Sequence, residues 1–365
     1  MRISVQKDDL VRGIQIVQNA VSARGSLPIL SNILIEARNE LKLTATDLDI
    51  AISCVIPCQI EERGAITLPA KRLGDVVKQL WSEEPVQLKL QKNNVVRIES
   101  KKTYFKIPGL PVDDFPQIPV FDEQKNAIAL PQSLLLNMLR MTCFAMSRDE
   151  ARYVLNGTYF VIKKNSIRLV ATDGRRLALI EKSLEKEIPF EKNVIIPIKT
   201  IQELMKNLGE DNVVYIYFKD NQIQFRIHDI FITSRLIEGE FPNYEQVIPQ
   251  KTKEKIVIKT RDFLDATRRA NIFTSQESQS IKITLDKNKL VISKNSPDLG
   301  EAYEEIDTNY QGGEFSIGFN PNYLIDVLKQ IDDESIEFEL IDADKPGMIR
   351  SNPHYTYIVL PMQIS

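Results

Sequence analysis

A helical segment that comes three times constrains this chain more than any other feature. The run Lys71 to Leu80 matches Lys199 to Leu208, and both match Asn322 to Ile331. Aligned on Leu80, Leu208 and Ile331, the copies stand 128 and 123 residues apart. Apolar residues return every three or four positions in each, the period of a helix that buries one face. Each copy follows an apolar run ending near a proline, at Pro69, Pro197 and Pro321, where the ring suits a first helical turn. A second helical pattern recurs at Asp8 to Val17, Gln132 to Leu139 and Arg261 to Ala270, with an acidic or hydroxyl residue near each start as a candidate cap. Solenoid repeats run to roughly 20–50 residues, so this longer period is that of whole domains. Three similar domains in tandem are expected, at 1–122, 123–253 and 254–365.

Between the helical segments lie alternating runs typical of strands, such as Leu41 to Thr46, Val86 to Leu90 and Val213 to Phe218, with turn residues such as Lys219-Asp220-Asn221 between them. Each domain therefore reads as two helices against mostly antiparallel sheet, an α+β design. The proline-dense stretch Pro108 to Pro119 is a connector, and Glu238 to Pro249 echoes it, with Phe-Pro at 115–116 and 241–242. Hydrophobic residues at 43% and charged residues at 27% suit globular domains that can each bury a core. No run approaches the roughly 20 apolar residues that span a bilayer, and the first residues lack the apolar core of a signal peptide. A cytoplasmic protein without membrane contact is expected.

Cys54, Cys58 and Cys143 have no metal-ligand spacing and read as buried thiols in a reducing compartment, a zinc site being the remote alternative. His228 and His354 lie far apart in strand-like stretches, which favours packing over a catalytic pair. No cofactor or metal is expected, and the scarcity of histidine argues against acid–base catalysis. Net charge is −3, so the surface as a whole repels a phosphate backbone, and any nucleic-acid contact must be local or held by something other than Coulomb attraction.

Four motifs stand in order along this repeat: Ser22 to Leu30, Ala45-Thr46-Asp47-Leu48-Asp49, Ala171 to Ala178 (Ala-Thr-Asp-Gly-Arg-Arg-Leu-Ala), and Gly239-Glu240-Phe241-Pro242. Each alone is weak, but together, from Met1 to the tail, they make the sequence resemble the bacterial replicative sliding clamps, the β subunits of DNA polymerase III. The resemblance implies a non-enzymatic processivity factor for DNA replication: a head-to-tail homodimer whose six domains form a ring around duplex DNA. It also implies docking of DNA polymerase III, the clamp loader, other DNA polymerases and repair proteins through a short clamp-binding peptide.

Residue by residue, the resemblance puts Arg24 and Arg152 near DNA. Lys71, Lys78, Arg148, Lys199, Lys206, Arg268 and Arg269, with Arg12, fall on the helices or loops that would line such a ring; for any single one of them a solvated helix face is the plainer reading. The peptide cleft carried over by motif uses Leu155, Thr172, Gly174, Arg175, Arg176 and Leu177. Its other side would come from Pro242, Val247, Ile358, Leu360, Pro361 and Met362, a mixture of rigid and flexible apolar groups suited to varied peptides. On composition alone, Leu177 and Val247 could equally be core. Arg175 stands where the family often has a smaller residue or histidine, and the tail Leu-Pro-Met-Gln-Ile-Ser lacks the family's basic-plus-aliphatic ending, so peptide preference is open. At the dimer seam Phe105 and Ile107 would meet Ile272 and Phe273, while Lys102 and Lys106 would oppose Glu301 and Glu304. Without the resemblance these would be ordinary exposed strands, since isolated surface ion pairs contribute little.

Two rival readings come from other classes. A carboxylate enzyme would use Asp47, Asp49 and Asp173, the first two on one strand face. A ring-shaped scaffold or adaptor without DNA binding would share the fold and differ in what passes through it.

Overall fold

The structure, a computed structural model, describes residues 1–22, 27–81, 84–121 and 127–364. The first repeat runs β1 (Arg2–Val5), α1 (Lys7–Val17), β2 (Asn32–Ala37), β3 (Leu41–Thr46), β4 (Ile50–Ile56), β5 (Gln59–Glu62), β6 (Gly64–Pro69), α2 (Ala70–Lys78), β7 (Val86–Leu90), β8 (Val95–Ser100) and β9 (Thr103–Pro108). The second runs β10 (Ile128–Pro131), α3 (Gln132–Cys143), β11 (Gly157–Lys163), β12 (Ser166–Thr172), β13 (Arg176–Ser183), β14 (Lys192–Pro197), α4 (Ile198–Asn207), β15 (Val213–Lys219), β16 (Gln222–Ile227) and β17 (Ile230–Arg235). The third runs β18 (Glu254–Lys259), α5 (Thr260–Asn271), β19 (Ile281–Asp286), β20 (Lys289–Ser296), β21 (Gly300–Asp307), β22 (Phe315–Phe319), α6 (Pro321–Leu328), β23 (Ser335–Leu340), β24 (Gly347–Ser351) and β25 (Tyr355–Val359). With β5 set aside, all three are one string of strand, helix, four strands, helix and three strands.

The repeats are not three separate bodies. The chain divides into two compact units, one made of Met1–Ser133 with Gln202–Leu236 and the other of Leu134–Ile201 with Ile237–Ser365. The first unit holds a five-stranded sheet, β5-β1-β7-β8-β9, and an eight-stranded one, β10-β15-β16-β17-β4-β3-β2-β6. The second holds an eight-stranded sheet, β14-β11-β12-β13-β25-β24-β23-β18, and a four-stranded one, β21-β20-β19-β22. Each eight-stranded sheet is shared by two consecutive repeats, joined where β4 pairs with β17 or β13 with β25, so the middle repeat is divided between the units. Sequence could count the repeats, but an antiparallel ladder that ignores their boundaries decides what packs as one body.

Within the first unit, α1 buries Leu10, Gly13, Ile14 and Val17 against the sheet. A Cβ on Gly13 would come within 2.9 Å of Leu43, so the helix sits as close to β3 and β4 as its backbone allows. In the second unit, α5 buries Phe263, whose ring lies 5.5 Å from that of Phe338. Each such fully buried side chain contributes about 1.5–3 kcal/mol of transfer free energy. Helix ends differ from the sequence reading in two respects: Gln6 and Lys259, at the N-caps of α1 and α5, make no side-chain cap, and Asp8, Asp9 and Asp262 instead sit in the first turns, where they favour the positive end of the helix dipole. Only Pro321 is a first-turn proline; Pro69 is the N-cap of α2 and Pro197 closes β14.

The histidine expectation fails. His228 and His354 are exposed residues of hairpin turns, His228 with φ 52°, because each falls between two strands rather than within one. The cysteines are free, but only Cys54 is buried, while Cys58 and Cys143 are intermediate. Burial pushes the thiols of Cys54 and Cys143 up to about 12 and about 11, so neither ionises near neutrality. At pH 8, a thiol-specific reagent is expected to modify Cys58 first and Cys54 and Cys143 only after denaturation, as peptide mass mapping would read.

Candidate functional site

Two hairpins, β3–β4 and β12–β13, carry the same turn. Asp47 Oδ1 accepts from the backbone N–H groups of Asp49 and Ile50 at 3.0 and 2.9 Å, and Asp173 Oδ1 from those of Arg175 and Arg176 at 2.9 and 3.0 Å. Thr46 and Thr172 each accept from the residue two ahead, Leu48 N–H or Gly174 N–H, both at 3.0 Å. Leu48 and Gly174 both have left-handed φ, 83° and 85°. This overturns the placement of Asp47 and Asp49 on one strand face: they belong to the turn, and the Asp47 and Asp173 carboxylates serve as backbone acceptors.

The Gly174 turn closes the β12–β13 hairpin, whose sheet brings Thr172, Leu177 and Ile358 of the motif-derived cleft residues side by side. Thr172 opposes Leu177 across β12 and β13, and Leu177 opposes Ile358 across β13 and β25. Leu177 and Ile358 join Val170, Leu179, Tyr244 and Met348 in one apolar cluster on that face. Leu155, Thr172, Leu177 and Ile358 are buried, whereas Pro242, Val247, Gly174, Arg175, Leu360 and Met362 are exposed and Pro361 is intermediate. Leu360 N–H donates to Arg175 O at 2.9 Å, which ties the chain's end to the turn.

Arg176 departs from the set. Alternation along β13 turns its side chain to the face opposite Leu177, where the guanidinium reaches Asp173 at 3.1 Å, Asp326 at 2.6 Å and the Phe144 carbonyl at 2.7 Å. The Tyr323 ring lies 4.5 Å away. Arg176 is thus a tie between β13 and α6.

Sequence reasoning missed the fastening of the connector over this sheet. Tyr159 stacks on Phe241 at 4.7 Å, and Arg168 binds Glu181 at 2.7 Å, Glu245 at 2.9 Å and the Tyr244 hydroxyl at 2.9 Å. Burial alone would raise the Glu181 carboxyl, but hydrogen bonds from Arg168 and Ser166 outweigh it and hold the group below its usual range. The one signal available was Phe-Pro, repeated at 115–116 and 241–242.

The basic residues divide by partner. Arg24 lies outside the described residues. Arg12, Lys71, Lys78 and Arg148 are exposed and, among the described residues, make no ion pair; Lys199 is intermediate. Lys206 binds the buried Glu203 at 2.7 Å, Arg268 binds Asp265 at 3.1 Å, and Arg269 grips Glu304 through two nitrogens at 2.7 and 2.5 Å. Arg152 lies against the Gly174 turn, donating to Asp173 O at 3.2 Å.

The seam candidates lie on or beside two open strand edges. β9 ends the five-stranded sheet and β21 ends the four-stranded one. Tyr104, Phe105, Tyr303 and Ile272 are exposed at 55%, 37%, 60% and 72%, a large apolar share for strand edges and a helix end. Two assignments change. Lys102 belongs to the turn before β9, and Ile107 is 1% exposed because its side chain faces the core of its own sheet. Glu304 faces α5, where Arg269 holds it, while Glu301 stays exposed beside Gly300, which neighbours the Phe273 ring.

Family models for the N-terminal, central and C-terminal domains of the DNA polymerase III beta subunit match residues 1–119, 129–243 and 245–363. The beta sliding clamp of Bacillus subtilis is 33% identical over 377 residues, which span 100% of this chain and 99% of that protein. The crystal structure of a B. subtilis DNA polymerase sliding clamp is similar with a TM-score of 0.96 at 32% identity, and that of a Bartonella birtlesii sliding clamp bound to griselimycin with 0.94 at 34%; both comparisons cover 100% of each chain.

Replacing Arg176 with Met would strip Asp173 and Asp326 of their shared cation. A destabilisation of about 2–3 kcal/mol is expected in chemical denaturation, below the ~3–5 kcal/mol of a fully enclosed pair because Asp326 is 40% exposed.

Proposed function

We propose a mode of action for this chain from the premise that it belongs to the DNA polymerase III beta subunit family, the bacterial sliding clamps. It is a DNA sliding clamp that serves DNA polymerase III in processive replication. On our reading two copies join end to end, β9 of each to β21 of the other, and close a ring of six domains around duplex DNA. The observation that carries this is the pair of open edges. A free strand edge is a template for association unless something covers it. One edge carries Lys106 and the other Glu301, and a twofold dimer covers both edges at once.

Retention would then be topological. A chain of net charge −3 is a poor candidate for tight phosphate binding, whose strength grows with each neutralised phosphate. Exposed Lys71, Lys78, Arg12 and Arg148, with Arg24 and Arg152, would make contacts that read no base edges and therefore permit sliding. The clamp loader, DNA polymerase III, other polymerases and repair proteins would insert a short peptide over Leu177 and Ile358, between the rims formed by Val247 and by Leu360 with Met362. Flexible Met362 and open Gly174 suit a site with several partners. We place the protein in the cytoplasm, where such partners work; among the described residues no helix is long and apolar enough to cross a membrane. The reading assigns the chain no catalytic step.

Loaded on nicked circular DNA by a clamp loader, the protein should stay bound in high salt and leave when the circle is cut; failure to be retained on the closed circle would favour the scaffold without DNA. Phe273→Asp buries a charge in the seam and should give monomers in light scattering. Val247→Asp with Leu360→Asp, both at exposed positions, should weaken a polymerase-derived peptide at least tenfold in fluorescence anisotropy, and unchanged affinity would reject the cleft.

A further inference from the structure

Around the Gly174 turn the charges do not balance. Three carboxylates bonded at or beneath the turn are already engaged. Asp173 Oδ1 accepts from the backbone N–H groups of Arg175 and Arg176, and its Oδ2 from the Arg176 guanidinium at 3.1 Å. Asp326 is held by the same guanidinium at 2.6 Å. Asp149 Oδ1 accepts from Ala151 N–H at 3.0 Å, while its Oδ2 lies 3.6 Å from Arg152. On the sheet and the connector, Glu181 and Glu245 both belong to Arg168.

Arg175 is left over. Its backbone is pinned on both sides, the N–H to Asp173 Oδ1 and the carbonyl to Leu360 N–H, each at 2.9 Å. Its guanidinium is exposed and, among the described residues, makes neither an ion pair nor a hydrogen bond. The place of this cation is set by the ladder. β13 and β25 pair Leu177 with Ile358 and Arg176 with Val359, and the bond between Arg175 and Leu360 carries the pairing one step further. Arg175 therefore stands beside Leu360, two residues from Leu177, at the rim that the tail forms with Met362. The connector rim has the opposite sign: Glu240, exposed and without an ion pair among the described residues, comes two positions before Pro242.

Resting on the peptide cleft proposed above, we infer that Arg175 determines specificity there, selecting partner peptides that carry a carboxylate beside their apolar anchors on the flank lying over Leu360 and Met362. A guanidinium is a planar fork of donors that matches a carboxylate with two parallel hydrogen bonds, and no carboxylate of this chain takes up that fork. The opposite rim sets the direction of the peptide. A carboxylate on the other flank would approach Glu240, and like charges brought together count against the wrong orientation. The effect on affinity is small, because an exposed ion pair changes binding only about twofold to fivefold, while burial of apolar side chains over Leu177 and Ile358 supplies the rest. Arg175 thus chooses among peptides that the apolar floor would accept alike.

The test uses the full chain and a labelled polymerase-derived peptide, read by fluorescence anisotropy at low salt. Residues flanking the apolar anchors are replaced one at a time with glutamine, glutamate or lysine. At one flank glutamate should bind about threefold tighter than glutamine, and lysine more weakly than either; at the other flank glutamate should be the weaker of the pair. Arg175→Gln, at an exposed turn position where the denaturation midpoint should not move, should bring the ratio at the first flank to one. Arg175→Glu should invert it in favour of lysine, and about 0.5 M salt should shrink the gain of the unaltered chain. Equal affinity of glutamate and glutamine at every flank would overturn the assignment, as would a preference that survives in Arg175→Gln. If the glutamine peptides themselves do not bind, the cleft fails first and the assignment falls with it.

Discussion

Backbone hydrogen bonding across the repeat boundaries is the interaction on which the rest depends. A strand left at a sheet edge carries unpaired N–H and C=O groups, and within the chain β4 and β13 satisfy theirs with strands from the next repeat, β17 and β25. That choice merges two repeats into one eight-stranded sheet, and it also sets which side chains share a face. Because side chains alternate along β13, Leu177 and Ile358 lie on one face while Arg176 is delivered to the other. The apolar face that carries Leu177 and Ile358 and the Arg176 tie on the opposite face are consequences of one register.

The same logic gives the turns their role. A threonine and an aspartate, two residues that readily hydrogen-bond nearby backbone, close both β3–β4 and β12–β13 with equivalent bonds. In the second of these the left-handed position is Gly174, whose missing Cβ leaves room for the Arg152 guanidinium. The first has Leu48 in the same conformation, a strain of roughly 1–2 kcal/mol in an L-residue. Equivalent backbone bonds thus hold a leucine in the left-handed position of one repeat and a glycine in that of the next.

Several of the basic helix residues are paired within the chain. Lys206, Arg268 and Arg269 each engage a carboxylate of their own chain, so part of the positive charge on the helices is already compensated. A protein retained by closure around DNA has no use for a large uncompensated field, which would slow its movement along the phosphates. The Arg269–Glu304 pair also links a residue expected to face DNA with one expected at the seam, a coupling invisible while the two were considered apart.

The sequence by itself determined the number of repeats, two helices in each, and several of the strands, because periodicity, turn residues and local motifs are written in consecutive positions. Leu41 to Thr46 and Val86 to Leu90 coincide with β3 and β7 residue for residue. It could not determine that the middle repeat is divided between two units, that Ile107 faces inward, that Arg176 turns away from Leu177, or that Arg168 fastens the connector through Glu245. Those are outcomes of strand order and register, decided by hydrogen bonds and side-chain contacts between residues up to hundreds of positions apart, and only the folded chain brings such residues within reach of one another.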